Sequence, residues 1–446
     1  MITANDQRSW FQQLLGEAGS DVPGQNLAWL AQARDKARQA VCELPIPHRK
    51  QEAWRYTNIE GLLRNRFKAA AQASFSLERL AEDDERLRPT WDSHRLVVVN
   101  GRCVPQLSSL EALPAGVRLS SLRAALSSDS RLLATWFGHT ANHTEHVFTA
   151  LNTALLNDGV FIHVARDVEL ELPLEVLYLC VTETDAIVMQ PRNLVVLEAG
   201  ASATLVERCI GAGPLPYFHN NLTEVVVGER AALRHYRVQD EKRDAYHLSS
   251  LYLSQAGHSR YQGTALAFGG AWARTDYNAR FRSAGAECML NGLYTAGDKQ
   301  LTDFHLDVQH SVPGCVSRER FKGILYGKGR AVFDGHILVR KQAQGSDAVL
   351  SNDNLMLTAD AEVDTKPQLE IYADDVKCSH GTTVGQLDPL QVFYMRSRGI
   401  DEVSARRMLC LGFAGEILDS IDVQLLREQV GDKLAHVLNG VVVGKK

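Results

Sequence analysis

The turn Glu198-Ala-Gly-Ala runs into the alternating segment Ala203-Thr-Leu-Val-Glu-Arg, and a second small-residue turn, Val227-Gly-Glu-Arg, runs into Ala232-Leu-Arg-His-Tyr-Arg-Val. Turns of the same kind stand at Gln255-Ala-Gly-His, Ser283-Ala-Gly-Ala, Gly327-Lys-Gly-Arg and Thr358-Ala-Asp-Ala, and the fifth leads into Ala331-Val-Phe-Asp-Gly-His-Ile-Leu-Val. From Glu198 to Gln255 is 57 positions over two intervals and from Gln255 to Ser283 is 28, with one longer gap after Ser283. A single unit of this kind cannot cover its own apolar face, whereas stacked units bury a continuous core. The sequence therefore predicts a mainly β protein built on a right-handed parallel β-helix, a solenoid. An antiparallel two-sheet sandwich is the competing architecture, because period-two alternation alone does not separate them.

Outward from this core, spanning 158–387, the period changes on both sides. Residues 1 to about 90 read as helical: Trp10, Leu14 and Leu15 start one apolar face, and Leu27, Leu30, Ala33 and Ala37 another. Pro45 and Pro47 interrupt, and the segment from Glu52 to Leu63 is expected to resume the helix. Leu96-Val-Val-Val is a short β segment, followed by a helical interval at about 120–157, which completes an N-terminal region of 1–157. After Asp388-Pro389 comes a C-terminal helical region, 388–446. Asp401 is placed to cap a helix with Ala405, Met408, Leu409, Gly412 or Phe413, and Ile417 inward. Val423, Leu426, Val430, Leu434 and Val437 form the stripe of a second. Such a unit at the end of a solenoid would cap the exposed sheet edge and offer a docking surface.

Composition excludes several function classes. The 446-residue chain is 45% hydrophobic and 23% charged with a formal charge of -5, which leaves no electrostatic footprint for nucleic acid or a membrane surface. The first residues lack the cationic start and apolar block of a secretory signal, and no apolar run approaches a bilayer span, so a cytoplasmic protein is expected. The eight cysteines include no CxxC pair, which argues against a disulfide framework or a closed zinc site. The signatures of serine hydrolases, zinc proteases and dinucleotide enzymes are absent. Gly323-Ile-Leu-Tyr-Gly-Lys-Gly lacks the spacer and the Ser or Thr of a phosphate loop, so no nucleotide is expected on this chain.

The segment most suggestive of chemistry is Gln368-Leu-Glu-Ile-Tyr-Ala-Asp-Asp-Val-Lys-Cys-Ser-His-Gly. If extended, it puts Asp374, Val376, Cys378 and His380 on one side and Asp375, Lys377 and Ser379 on the other, so the two aspartates do not form an acid-base pair. A thiolate and an imidazole on one face suit iron or a cluster, but two ligands do not close a metal site. The remaining ligands must come from other strands or a second chain. Asp303, His305 and Asp307 share a face that reads as solvated, with His310 opposite, and Asp334 and His336 share another with no visible third partner.

The run Glu370-Ile-Tyr-Ala-Asp-Asp-Val-Lys-Cys-Ser-His-Gly-Thr-Thr-Val-Gly, with Leu387-Asp-Pro-Leu-Gln-Val-Phe-Tyr-Met-Arg-Ser-Arg-Gly-Ile after it, resembles the C-terminal pattern of the SufD branch of the SufB/SufD family. Glu52-Ala-Trp-Arg-Tyr-Thr, Phe333-Asp-Gly-His-Ile-Leu-Val and Ala343-Gln344 extend the resemblance over essentially the whole chain. The SufB form differs, with a Val-Glu-His-Glu-Ala-like segment where this chain has Val376-Lys-Cys-Ser-His-Gly.

The resemblance implies a non-enzymatic scaffold for iron-sulfur cluster assembly that pairs with SufB and with the ATPase SufC, and that can form a homodimer when isolated. It implies an iron-sulfur cluster or iron held transiently and shared with SufB, with His380 as ligand and Cys378 as a weaker candidate. It further implies SufC docking through Phe393, Tyr394, Arg396, Arg398, Gly399 and Ile400.

Overall fold

A computed structural model describes residues 4–16, 22–70, 90–110, 113–142 and 144–442. From Val160 to Gly385 the chain winds as a parallel β-solenoid in which, from Arg192 onward, each strand pairs with the strand two further on, within sheets of eleven and ten strands among the described residues. The sandwich alternative is thereby excluded. Alternation does the rest: inward side chains of successive coils fall in register, as in Val225, Leu253, Ala279, Val308 and Ile337, each opposite the next. Identical phase in every coil stacks apolar groups about 4.8 Å apart into one core. The rings of Tyr294, Phe304, Phe321 and Phe333 follow one another at 5.4, 5.2 and 5.2 Å through its later coils.

The stacked corner is a left-handed residue. Gly200, Arg230, His258, Gly285, Gly314 and Gly345 all have positive φ and lie at corresponding positions before successive strands of the ten-stranded sheet. Two coils thus make this step without glycine, which needs local compensation. The turns at Gly327 and Thr358 belong to the opposite corner, leading into strands of the other sheet. The long gap after Ser283 therefore arises from pooling two corners; the missing turns are Pro313-Gly-Cys and Gln344-Gly-Ser.

Both sheets are covered by helices on their outer faces. Ala4–Gly16, Ala28–Glu43 and Val147–Ala154 bring Trp10, Phe11, Val41 and Phe148 against Phe218, Leu248 and Trp272 of the eleven-stranded sheet. In Ala28–Glu43 the buried stripe is Leu30, Arg34, Ala37 and Val41 rather than one through Ala33, and Arg34 Nη2 donates to the carbonyls of Pro23 (2.7 Å) and Leu156 (3.3 Å). Glu52 to Leu63 is a broken helix, a 3-10 turn at Glu52–Trp54 and a single α turn at Glu60–Leu63. The part of the expected helical stretch at 71–89 lies outside the described residues. His94–Val99 and Val117–Ser121 join the two sheets, the first parallel to Leu174–Val181 and the second antiparallel to Val160–Val164.

The C-terminal helices Glu402–Leu418 and Gln424–Val442 lie along the flank of the ten-stranded sheet, and so do not cap the end of the solenoid. Cys410, Ala414 and Ile417, then Leu426, Val430, Leu434 and Leu438, pack on Val206, Tyr236, Leu293, Ile324 and Leu355. Met408 is 50% exposed, contrary to its expected inward place. Asp401 does cap its helix, accepting the Ser404 N–H at 2.9 Å. Glu416 pairs with Arg320 (3.0 Å) and Lys322 (2.7 Å), which fixes the helix on the sheet.

Candidate functional site

The last coil has no cover among the described residues. Its strands, Glu362–Ile371 and Val376–Gly385, end the eleven- and ten-stranded sheets and pair on one side only. Pro367, opposite Gly335, is compatible with this place because a strand proline needs an edge. In each ten-residue strand the outward half of the backbone N–H and C=O groups meets no further strand among the described residues and forms a template for another sheet, which Lys366, Pro367 and Lys377 blunt only in part. Ile371, Tyr372 and Val384 are exposed along the same rim.

Cys378 and His380 sit on this coil as the alternation requires. Cys378 lies opposite Ala348 and His380 opposite Leu350, so both continue inward-facing columns of the core at the mouth of the solenoid. Cys378 is half-buried against the core and His380 is exposed. Burial, and then the nearby carboxylates of Asp347 and Glu319, push the Cys378 thiol above its ordinary pKa. Asp374 and Asp375 are not on the strand: they form the bend before it, where the Asp375 N–H is held by Gln344 Oε1 at 2.9 Å. Among the described residues no third His, Cys, Asp or Glu joins Cys378 and His380 at ligand spacing.

The columns below the mouth contain a residue that the sequence reading missed. Glu319 lies opposite Leu350, two coils in from His380, and is fully buried. Burial pushes its carboxyl up to about 8, with Ser317 and Arg318 only partly opposing, and neither oxygen has a hydrogen-bond partner of good geometry. The signal was available: in Val316-Ser-Arg-Glu-Arg-Phe, Glu319 shares the phase of core residue Phe321.

The two His-Asp sets read from the sequence come together in an outward groove of about 410 Å³. Asp303 is not solvated as expected. It is fully buried, accepts Thr57 Oγ1 at 2.5 Å and pairs with Arg274 (3.2 Å) and His305 (2.8 Å). Burial alone would raise its carboxyl, but His305 and Arg274 hold it at about 2. His336 finds two partners, Asp307 at 3.1 Å and Glu370 at 3.4 Å, and the Asp307 hydrogen bond raises its pKa. Arg274 also lies 4.0 Å under the Trp54 ring. These pairings fasten the Glu52–Trp54 turn onto the sheet.

The helix Pro389–Ser397 buries only Val392, leaving Leu390, Phe393 and Tyr394 at 74%, 68% and 59% exposure. Arg396 pairs with Glu402 (3.3 Å), and Arg398 folds back on Tyr394 with a 2.8 Å hydrogen bond to its hydroxyl. Gly399, at φ +85°, lets the Ile400 N–H return to the Met395 carbonyl and closes the helix. Among the described residues nothing covers this apolar helix face.

Residues 5–176 match the SufBD protein N-terminal region, and residues 180–413 match the SufBD core domain of the SUF system for FeS cluster assembly. The chain belongs to the SufBD family. An iron-sulfur cluster assembly SufBD family protein of Synechocystis is 32% identical over 91% of this chain and 90% of its own length. The iron-sulfur cluster assembly protein SufD of Escherichia coli is 32% identical over 90% and 92%. SufD of Bacillus subtilis is 26% identical over 91% and 93%. The two SufBD matches together span the N-terminal helical layer, the solenoid with its open coil, and the C-terminal region as far as residue 413. No helix among the described residues is long and apolar enough to cross a membrane.

Proposed function

We propose that this chain is a non-enzymatic scaffold of a cytoplasmic iron-sulfur cluster assembly complex, pairing with SufB through its open coil and with the ATPase SufC through the helix Pro389–Ser397. The observation that carries the reading is the uncovered last coil with Cys378 and His380 facing out of its mouth. Edge strands of this length need a partner, and an incomplete ligand pair needs donors from another chain. One contact would answer both needs. His380 would bind iron or a nascent cluster as a neutral imidazole, transiently and together with SufB, with Cys378 as an accessory thiol. Phe393, Tyr394, Arg396 and Arg398, with the turn at Gly399 and Ile400, would receive SufC, whose ATP-driven movement then reaches the scaffold from beside the open coil.

The test is anaerobic purification of the complex through a tag on this chain, with iron and acid-labile sulfide measured for wild type and His380→Ala. The expected result is recovery of both partners in each case, with cluster content at least tenfold lower in the variant. Equal cluster content would refute the ligand role, and recovery of the chain without either partner would refute the scaffold reading.

A further inference from the structure

A second group of ligand-type side chains lies deep in the solenoid, away from the open coil. Cys209 comes from the strand Ser202–Ala212 of one sheet, and His219 and His247 from the adjacent strands Tyr217–Val227 and Tyr246–Gln255 of the other. His219 and His247 are paired in register, so they stack in successive coils. All three are buried, and one donor atom from each lies within 4.8 Å of the others. Tetrahedral bonds of about 2.0–2.3 Å put donors about 3.3–3.8 Å apart, so the group is open by at most about 1.5 Å relative to a loaded site.

Three further observations point to a ligand. Glu241, also buried, sits between the imidazoles, with one carboxylate oxygen 3.2 Å from His219 Nδ1 and the other 2.8 Å from His247 Nδ1, the latter off the hydrogen-bonding line. A carboxylate behind the far nitrogen of a histidine is the arrangement that orients metal-binding imidazoles. His219 Nε2 is buried with no hydrogen-bond partner, although such atoms are ordinarily paired. A cavity of about 20 Å³, room for one small sphere, is bounded by Cys209 and His247.

Charge supports the same occupant. The neighbouring buried carboxylate, Glu207, is already compensated by Arg237 at 3.0 Å and His235 at 3.0 Å. Among the described residues Glu241 meets His219, His247, the Gln239 amide (3.0 Å) and the Tyr217 hydroxyl, and pairs with no arginine or lysine. A divalent cation held by a Cys209 thiolate beside Glu241 would make the group neutral, which a buried site requires.

We infer that Cys209, His219 and His247 bind one divalent transition-metal ion of the Fe(II) or Zn(II) class inside the solenoid, with Glu241 as the positioning residue. One thiolate and two imidazoles select this class over magnesium or calcium. Water fills the fourth position. The site is separate from the open coil: four strands stand between Val376–Gly385 and Ala232–Asp240, the strand next to that of Cys209, or about 24 Å of sheet at about 4.8 Å per step. The ion would tie two coils and both sheets together.

The test uses the full chain carrying Cys378→Ser and His380→Ala, so that the open coil adds no ligand, expressed with added cobalt and purified without oxygen. The expected result is one cobalt per chain with a sulfur-to-cobalt charge-transfer band. Adding Cys209→Ser should remove the band, and Glu241→Gln should weaken binding by about 10–100-fold. X-ray absorption at the cobalt edge of the parent chain, which needs no further variant, should give one sulfur and two nitrogen neighbours. A substoichiometric metal content, a band that survives Cys209→Ser, or a shell without sulfur would each overturn the assignment.

Discussion

Glu224→Ala is expected to lower stability by about 3–5 kcal/mol, the usual cost of leaving one member of a buried ion pair without the other. Glu224 and Arg192 are both fully buried, 2.5 Å apart. They lie where the early coils of the solenoid meet the N-terminal helical layer. Glu224 also accepts the backbone N–H groups of Gly138 (2.8 Å), Thr140 (3.0 Å) and Ala141 (3.0 Å), while Arg192 stacks on Phe137 at 4.7 Å and reaches Thr153 Oγ1 at 3.2 Å. Truncation therefore orphans a guanidinium and three amides at once. Denaturant unfolding read by circular dichroism measures the loss, and the paired replacement Arg192→Met with Glu224→Leu should cost much less, since no charge is then left buried. A loss below about 1 kcal/mol for Glu224→Ala would show that water reaches the pair.

Glu319→Gln should act in the opposite direction. With the folded pKa raised to about 8 from an ordinary 4.5, Glu319 favours the fold while protonated. That contribution is complete below about pH 4.5, is lost progressively as pH rises, and is gone above about pH 8. At pH 7 the carboxyl therefore weighs against the fold by on the order of 3 kcal/mol, which the neutral amide avoids. The charged and titratable groups bearing on it are Arg318 in the same strand and the Cys288 and Cys378 thiols. The measurable quantity is the stability difference between variant and wild type at a series of pH values. It should be near zero at pH 4.5 and grow to a plateau above pH 8. A flat difference would mean that Glu319 is ionised and hydrated throughout.

The fold was legible because alternation is local: Ala203 to Arg208 and Ala331 to Val339 show their two faces without reference to any other strand. What was illegible depends on neighbours about thirty residues away. Val206, Tyr236, Leu293, Ile324 and Leu355 form one apolar flank only after the coils are stacked, so the helical stripe of Leu426, Val430 and Leu434 announced a buried face without saying against what. The same limit misplaced the C-terminal helices at the solenoid end and let two different corners pass as one series of turns.

The site divides in the same way. Cys378 and His380, two residues apart, show their common face directly, whereas Cys209, His219 and His247 converge only through the pairing of sheets and coils. Asp303 looked solvated because Thr57 and Arg274, which bury it, lie on other elements.

The most direct measurement on the proposed assembly face is amide hydrogen exchange of the chain, dilute and alone, then anaerobically in complex with SufB. The expected result is fast exchange of unpaired amides in Glu362–Ile371 and Val376–Gly385 in the free chain and strong protection in the complex, with Pro389–Ser397 protected only when SufC is added. Unchanged exchange of both last strands in a complex that has formed would contradict the open coil as the place where the two scaffolds meet.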